Sequence, residues 1–391
     1  MCKSQIWCNF TNINLTLLLR FAILDMLGGL CRSLFIFPSL HRTLYSLYWK
    51  HLLRGGKIMA KGIFLGNQKQ IEYVYPTDIQ KELLAHCAVS NHVYTKDEIL
   101  ASPKSFCNVQ YIFSTWGMPV FTEDEIRTCF PNLECVFYAA GSVQFFARPF
   151  LSCGIKVFSA WAANAVPVAE YTVAQIILAN KGFYQNQLYY KRGEHAKAAS
   201  HFHAHTGNYR MKVGLIGVGM IGTMVAERLQ NYNAEVLVYD PFLSDEKASA
   251  LRVRKVDLEE VFTECEVVSN HLANNAQTQN MLTSSLFEKM KPYATFLNTG
   301  RGAQINENGL VDFLKKRPDC PAVLDVTVEE PLPLSHPLFS CENCFITTHI
   351  AGSAGHEVWR MAEYMLDELH RFESGKKTLY CVTHKMLETM A

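Results

Sequence analysis

Lys212-Val213-Gly214-Leu215-Ile216-Gly217-Val218-Gly219-Met220-Ile221-Gly222 is the stretch whose reading decides the fold. An apolar, strand-like run from Val213 to Ile216 meets a G-x-G-x-x-G sequence that opens a helical run, Thr223 to Leu229. Spaced glycines alone say little. Placed after a strand, before a helix, and ahead of a second strand ending at Tyr239-Asp240, they form the turn that dinucleotide phosphates require. Gly217 makes the tight turn, Gly219 lets a pyrophosphate approach the backbone, and Gly222 lets helix and strand pack closely. The pyrophosphate then rests on N–H groups at the positive end of a helix. Asp240 selects the cofactor. A carboxylate accepts hydrogen bonds from ribose hydroxyls and repels a 2′-phosphate, so NAD is expected over NADP.

The alternation continues on both sides. Downstream, Glu235 to Tyr239, Glu266 to Ser269, Ala294 to Leu297, Ala322 to Leu324 and Phe345 to Thr347 read as strands. Upstream, Ile63 to Leu65, Tyr111 to Phe113, Cys135 to Tyr138 and Ile155 to Phe158 read as buried parallel strands, and Ile79 to His86 and Asp124 to Cys129 as helices. The predicted class is α/β: two Rossmann/flavodoxin-like domains with doubly wound parallel sheets and an interdomain cleft. Pro167 sits near the start of a long apolar helix that runs to about Asn180. Residues 181–210, with His195, His201, His203 and His205, are expected to be a polar, solvated connection rather than a metal site. After Gly352, the spacing of Val358, Met361, Met365 and Leu369 predicts an amphipathic helix that returns to the first domain. Residues 59–163 with 353–391 are then the substrate domain, and residues 164–352 the cofactor domain.

Composition sets further bounds. A chain of 391 residues, 49% hydrophobic, exceeds one ordinary domain. Its formal charge of +1 offers no basis for a nucleic-acid partner. The 13 cysteines show no framework spacing, so reduced thiols in a cytoplasmic protein are expected. Cys341 and Cys344 form a lone CxxC without the second pair a zinc site needs, and no metal is expected. Residues 1–58 stand apart: Lys3, Arg20, Arg32, Arg42, Lys50, Arg54 and Lys57 face one acid, Asp25. Arg20, Asp25 and Arg32 interrupt its apolar stretch, so no clean membrane span forms. A transit peptide or an interfacial helix is one reading. The preferred one takes Met59 as the start, since codons for Arg54-Gly55-Gly56-Lys57 can spell a ribosome-binding site.

Three segments follow strands of the second domain: Asn298-Thr299-Gly300-Arg301-Gly302, Leu324-Asp325-Val326 with Glu330-Pro331, and Thr347-Thr348-His349. Ligands in such sheets bind beyond the carboxyl ends of strands. Reducing a 2-keto acid needs a two-pronged cation for the carboxylate, which only guanidinium offers. It needs a proton donor for the carbonyl oxygen, a task suited to histidine. It also needs a carboxylate to hold that histidine and favour its charged form.

These motifs, with Tyr239-Asp240-Pro241 and Met290-Lys291-Pro292, resemble the D-isomer-specific 2-hydroxyacid dehydrogenase family from about residue 61 to about 372. The resemblance implies an NAD-dependent oxidoreductase acting on the CH–OH group of a small D-2-hydroxy acid. It implies that Arg301 binds substrate carboxylate and carbonyl, that Glu330 pairs with His349, and that His349 is the acid/base. Asp325 would hold the nicotinamide carboxamide. Met220, Ile221, Leu272, Ala273, Thr278, Thr299, Gly300 and Arg301 would make further cofactor contacts. It also implies a homodimer built on the cofactor domain. Three departures appear: Thr348 stands where the family has proline, Gly141-Ser142-Val143 replaces a loop that usually carries Asp or Asn, and Asn270-His271-Leu272-Ala273-Asn274-Asn275 is more polar than the usual pattern. Gly141 and Ser142 are still expected to offer N–H groups to a substrate carboxylate, with Ser114 and Trp116 shaping the pocket. Two other readings of the chain are a formate dehydrogenase-like enzyme, which has glutamine at the position of Glu330, and an NADH-sensing corepressor-like binding protein.

Overall fold

The computed structural model describes residues 59–388; the leader, residues 1–58, lies outside them. Among the described residues, thirteen strands form two sheets. The first contains β1 (Lys61–Leu65), β2 (Ala88–Tyr94), β3 (Tyr111–Ser114), β4 (Cys135–Tyr138), β5 (Lys156–Ser159) and β13 (Cys381–Val382), in the order β13-β5-β4-β3-β1-β2. The second contains β6 (Met211–Ile216), β7 (Ala234–Tyr239), β8 (Arg254–Lys255), β9 (Val267–Asn270), β10 (Thr295–Asn298), β11 (Ala322–Leu324) and β12 (Cys344–Ile346), in the order β12-β11-β10-β9-β6-β7-β8. Strands β3 and β4 are buried along their whole length, which explains their unbroken apolar sequence. Each sheet has a hydrophobic core on both faces. Ile63, Ile112 and Val136 face one side of the first sheet, and Phe64, Phe113 and Phe137 the other. Leu237 and Phe296 face one side of the second, and Val213, Leu215 and Val236 the other.

The register of the second sheet places the functional segments. Ile216 pairs with Tyr239 and Asn270, Asn270 with Asn298, Asn298 with Leu324, and Leu324 with Ile346. One transverse row therefore ends six neighbouring strands, and the chain leaves it at Gly217, Asp240, His271, Thr299, Asp325 and Thr347. The strand order reverses between β6 and β9, which opens a crevice at that edge.

Three sequence expectations change. Residues 181–210 are not a solvated loop. They carry the helices Phe183–Lys191 and His195–Ala204, which bury Tyr184, Gln185, Tyr189, Ala198 and His201. The buried stripe is built from aromatic, amide and histidine side chains, so aliphatic periodicity did not reveal it. His201 packs against His205 with ring centroids 4.6 Å apart and planes tilted by 57°, and burial pushes its pKa down to about 4. Second, the first sheet gains two edge strands, β2 and β13. Their burial is broken or their length minimal, which leaves little pattern to read. Third, that sheet is not wholly parallel, because β13 runs antiparallel to β5.

Among the described residues, one helix, Trp161–Ala179, is long and apolar enough to cross a membrane. Its Ala169, Val173, Ile176 and Ala179 instead pack into the core under the second sheet. The helix Glu357–Glu373 sends Val358, Met361, Met365 and Leu369 into the core of the first sheet. Its Glu368 is fully buried, and the carboxylate accepts hydrogen bonds from the N–H of Leu379 at 2.8 Å and of Tyr380 at 3.1 Å. That contact turns the chain into β13. Glu368→Ala strands two backbone donors, so it is expected to lower the unfolding free energy by about 3 kcal/mol. Urea denaturation measures the loss. An unshifted midpoint would mean the carboxylate does not hold the turn.

Candidate active site

A cavity of about 800 Å³ lies beyond the row of strand ends. Its lining includes Gly217, Gly219, Met220, Ile221, Asp240, Leu272, Ala273, Thr278, Thr299, Gly300, Arg301, Asp325 and His349 from the second sheet. Gly141 and Ser142 reach it from the end of β4. Gly222 and Glu330 do not line it. They act through neighbours.

The glycine turn has the shape a pyrophosphate needs. A Cβ on Gly222 would lie 2.1 Å from the Gly217 carbonyl oxygen, so only glycine permits that approach of helix and strand. A Cβ on Gly219 would meet nothing within 4 Å, because that position faces open space. Gly219 is the N-cap of the helix Met220–Leu229 and supplies no side-chain cap. The intrahelical ladder begins with Thr223 N–H on the Gly219 carbonyl. The preceding N–H groups are left for an anion. The residues therefore fit a dinucleotide. Asp240 accepts hydrogen bonds from Val218 N–H and Phe242 N–H, both at 2.8 Å, which fixes its carboxylate at the pocket wall. Each oxygen keeps a further acceptor position. A lysine, not considered in the sequence reading, shares this wall: Lys247 Nζ donates to the Val218 carbonyl at 3.0 Å.

Three buried amides set the middle of the site. Asn270 Nδ2 donates to Asn298 Oδ1 at 2.9 Å and to Gln304 Oε1 at 2.6 Å. Gln304 Nε2 donates to the Leu272 carbonyl at 2.7 Å, and Gln304 Oε1 accepts from Arg301 N–H at 3.1 Å. Asn298 accepts from Gly300 N–H and donates to the Arg301 carbonyl. One network thus ties the loop after β9 to the loop after β10. The guanidinium of Arg301 donates through Nη1 to the Gly300 carbonyl at 2.7 Å. Burial pushes its pKa down, and the Glu330 carboxylate opposes that shift.

Asp325, 1% exposed, organises the histidine loop. Its Oδ1 accepts from Thr347 Oγ1 at 2.7 Å and Ile350 N–H at 2.8 Å, and its Oδ2 accepts from Ala351 N–H at 2.9 Å. His349 N–H donates to the Asp325 carbonyl at 3.0 Å. The His349 backbone takes φ of +61°, a left-handed conformation that these bonds enforce. The ring then meets Glu330, with Nδ1 and Oε2 2.9 Å apart. Glu330 Oε1 accepts from Thr327 N–H, so the acid is held by its own loop. A carboxylate on Nδ1 leaves Nε2 for the cavity.

The first sheet supplies the opposite wall. Among the described residues, the N–H groups of Gly141 and Ser142 have no hydrogen-bond partner. Ser159 Oγ fixes that loop: it lies 2.6 Å from the Gly141 carbonyl and 2.9 Å from the Ala140 carbonyl, to either of which its one proton can be donated. Ser114 and Trp116 are outside the lining, contrary to expectation. Ser114 is buried in the first domain, where its hydroxyl donates to the Leu65 carbonyl. Sequence reasoning missed Trp161, Asn164, His271 and Met386, which also line the cavity. Asn164 Oδ1 accepts from Ser353 N–H, joining the two chain crossings between the sheets. Only a distance between remote segments reveals such residues. Cys341 and Cys344 are free thiols remote from this lining.

The family described as D-isomer specific 2-hydroxyacid dehydrogenase, NAD binding domain, matches residues 173–351. A glyoxylate reductase of Korarchaeum cryptofilum is 30% identical over 256 residues, covering 64% of this chain and 76% of that protein. A D-3-phosphoglycerate dehydrogenase of Archaeoglobus fulgidus is 30% identical over 200 residues, where the match takes in 51% of this chain but only 37% of the longer protein. The crystal structure of Rhodotorula graminis D-mandelate dehydrogenase superposes with a TM-score of 0.71 at 19% identity, covering 83% of this chain and 98% of that one.

Asp325→Asn turns one acceptor of the histidine loop into a donor that faces other donors. The expected cost is about 1–3 kcal/mol of stability. Thermal denaturation of the two proteins side by side checks it. Equal stability would mean the three bonds to the carboxylate are dispensable.

Proposed function

The chain belongs to the D-isomer specific 2-hydroxyacid dehydrogenase family, and we propose that its cleft interconverts a small D-2-hydroxy acid and the matching 2-keto acid, with NAD as the partner. The observation that carries this reading is the arrangement of Arg301 and the His349–Glu330 pair on the wall of the cavity that holds the glycine turn. Bound NADH supplies the hydride that adds to the substrate's carbon 2. All other work falls to the protein.

The proposed roles follow from chemistry. Gly219, Met220 and Ile221 offer backbone N–H groups to the pyrophosphate, Gly222 keeps helix and strand close behind them, and Asp240 accepts from the ribose. Leu272, Ala273, Thr278, Thr299, Gly300 and Asp325 wall the nicotinamide half. Arg301 grips substrate carboxylate and carbonyl oxygen with its fork, and its partial burial strengthens that attraction. Gly141 and Ser142 N–H groups take the carboxylate's other oxygen. His349 gives the proton on Nε2 to the carbonyl oxygen as negative charge develops there, while Glu330 holds Nδ1–H and balances the imidazolium. Oxidation of the hydroxy acid runs the same proton path backwards. The homodimer expected for the family has a surface available: Phe183, Tyr190, Phe202 and Tyr209 are exposed around the helices 183–204.

The founding experiment follows NADH oxidation with a panel of 2-keto acids; no turnover with any of them sinks the proposal. His349→Ala is expected to lose about 10²- to 10⁴-fold in kcat with NADH binding intact. Reduction needs the ring protonated, so its rate should fall with rising pH and the oxidation rate should climb. Arg301→Lys keeps the charge and loses the fork, so KM for the keto acid should rise sharply. If both variants keep wild-type kcat and KM, the proton donor and the anchor lie elsewhere.

Asp240→Ala removes the ribose acceptor and the repulsion of a 2′-phosphate together, leaving Lys247 as the local charge. The ratio of kcat/KM for NAD over NADP is expected to fall. An unchanged ratio would show that Asp240 does not choose the cofactor.

A further inference from the structure

Away from the cleft, two helices of the first lobe carry three metal-ligating side chains, Glu82, His86 and His370, to one spot, with Glu373 beside His86. The helix Thr77–His86 brings Glu82 and His86, one turn apart. The helix Glu357–Glu373 brings His370 and Glu373, also one turn apart. The imidazole rings of His86 and His370 lie with centroids 4.1 Å apart, tilted by 48°. Nδ1 of His86 is 3.3 Å from Glu373 Oε2. Nε2 of His370 is 3.8 Å from Glu82 Oε1, too long for a hydrogen bond. One ligand atom each from Glu82, His86 and His370 lies within 4.8 Å of the others.

Protein contacts alone do not account for this cluster. His370 Nε2 is shielded from solvent and has no hydrogen-bond partner. Leaving a buried ring nitrogen unpaired costs about 1–3 kcal/mol. Two imidazoles this close repel when both are protonated, and burial with the His86 charge pushes the His370 pKa below its usual value. Neutral rings carry lone pairs, and a lone pair facing the Glu82 carboxylate suits a cation.

We propose that Glu82, His86, His370 and Glu373 form a structural site for a divalent transition-metal ion of the zinc class. Two imidazoles and two carboxylates match the ligand types and number of a closed zinc site. They also leave the bound ion near neutral net charge. Zinc bonds to nitrogen and oxygen near 2.0–2.1 Å place tetrahedral ligand atoms roughly 3.3 Å apart. The ion would staple the C-terminal helix to the N-terminal part of the first lobe. That same helix carries Glu368, which turns the chain toward β13 and the Met386 wall of the cleft. The site serves fold integrity and takes no part in the reaction.

The test uses the full chain, stripped with a chelator, dialysed, and titrated with zinc chloride and with cobalt chloride. One ion per chain should bind, the melting temperature should rise, and cobalt should give the intense visible absorption of a four-coordinate centre. His86→Gln and His370→Gln should each weaken zinc binding by about 100-fold or more. Glu82 is exposed, so Glu82→Gln should keep the metal-free melting temperature and still weaken binding. NADH binding should be the same in all three variants. Failure to bind stoichiometric zinc overturns the proposal. So does zinc binding that survives in both histidine variants or in a folded Glu82→Gln protein, because the ion would then sit elsewhere.

Discussion

The Asp325 carboxylate is the contact on which the site depends. It is buried at the end of β11 and accepts three hydrogen bonds from the loop after β12. A buried charge is costly unless its acceptor positions are filled. Here the loop fills them and cannot relax away without stranding the charge. The loop in turn holds His349 in a left-handed backbone conformation, worth about 1–2 kcal/mol of strain for a residue with a side chain. The hydrogen bonds offset that strain and aim the ring between Glu330 and the cavity. Stability is given up at one residue so that the imidazole stands at a fixed place.

The amides of Asn270, Asn298 and Gln304 do the same for Arg301. All three are fully buried and satisfy one another and the surrounding backbone. A satisfied network is rigid, because breaking any bond exposes a second unpaired group. Apolar residues of equal volume would fill the space but leave the loops after β9 and β10 free to slide. The network therefore fixes where the guanidinium emerges.

The two lobes contribute different things. The second sheet delivers the glycine turn, Arg301 and His349 from one row of strand ends. The first delivers two unpaired N–H groups at Gly141 and Ser142, and a C-terminal segment returns Met386 to the opening. Asn164 bridges to Ser353 where the chain crosses between lobes. A substrate gripped from both sides is closed off from water, which strengthens each charge–dipole contact in the cleft.

Local sequence determined the parts whose causes are local. Apolar runs bounded by turns gave β3, β4 and β6, and the glycines of 217–222 announced a phosphate turn because backbone sterics allow little else there. Arg301, Glu330 and His349 were legible as a set because keto-acid chemistry calls for those three types at strand ends. The helices of residues 183–204 were not legible, since their buried stripe of Tyr184, Gln185, Tyr189 and His201 carries no aliphatic period. Neither was the edge strand β13, whose two residues acquire a partner only when Glu368 turns the chain toward β5. Trp161, Asn164 and Met386 also escaped, because lining a cavity depends on distances between remote segments. The sequence by itself determined which chemistry the chain carries. Only the tertiary structure decided which groups hold it in place, because buried polar partners are chosen by proximity in space, and proximity leaves no periodic trace along the chain.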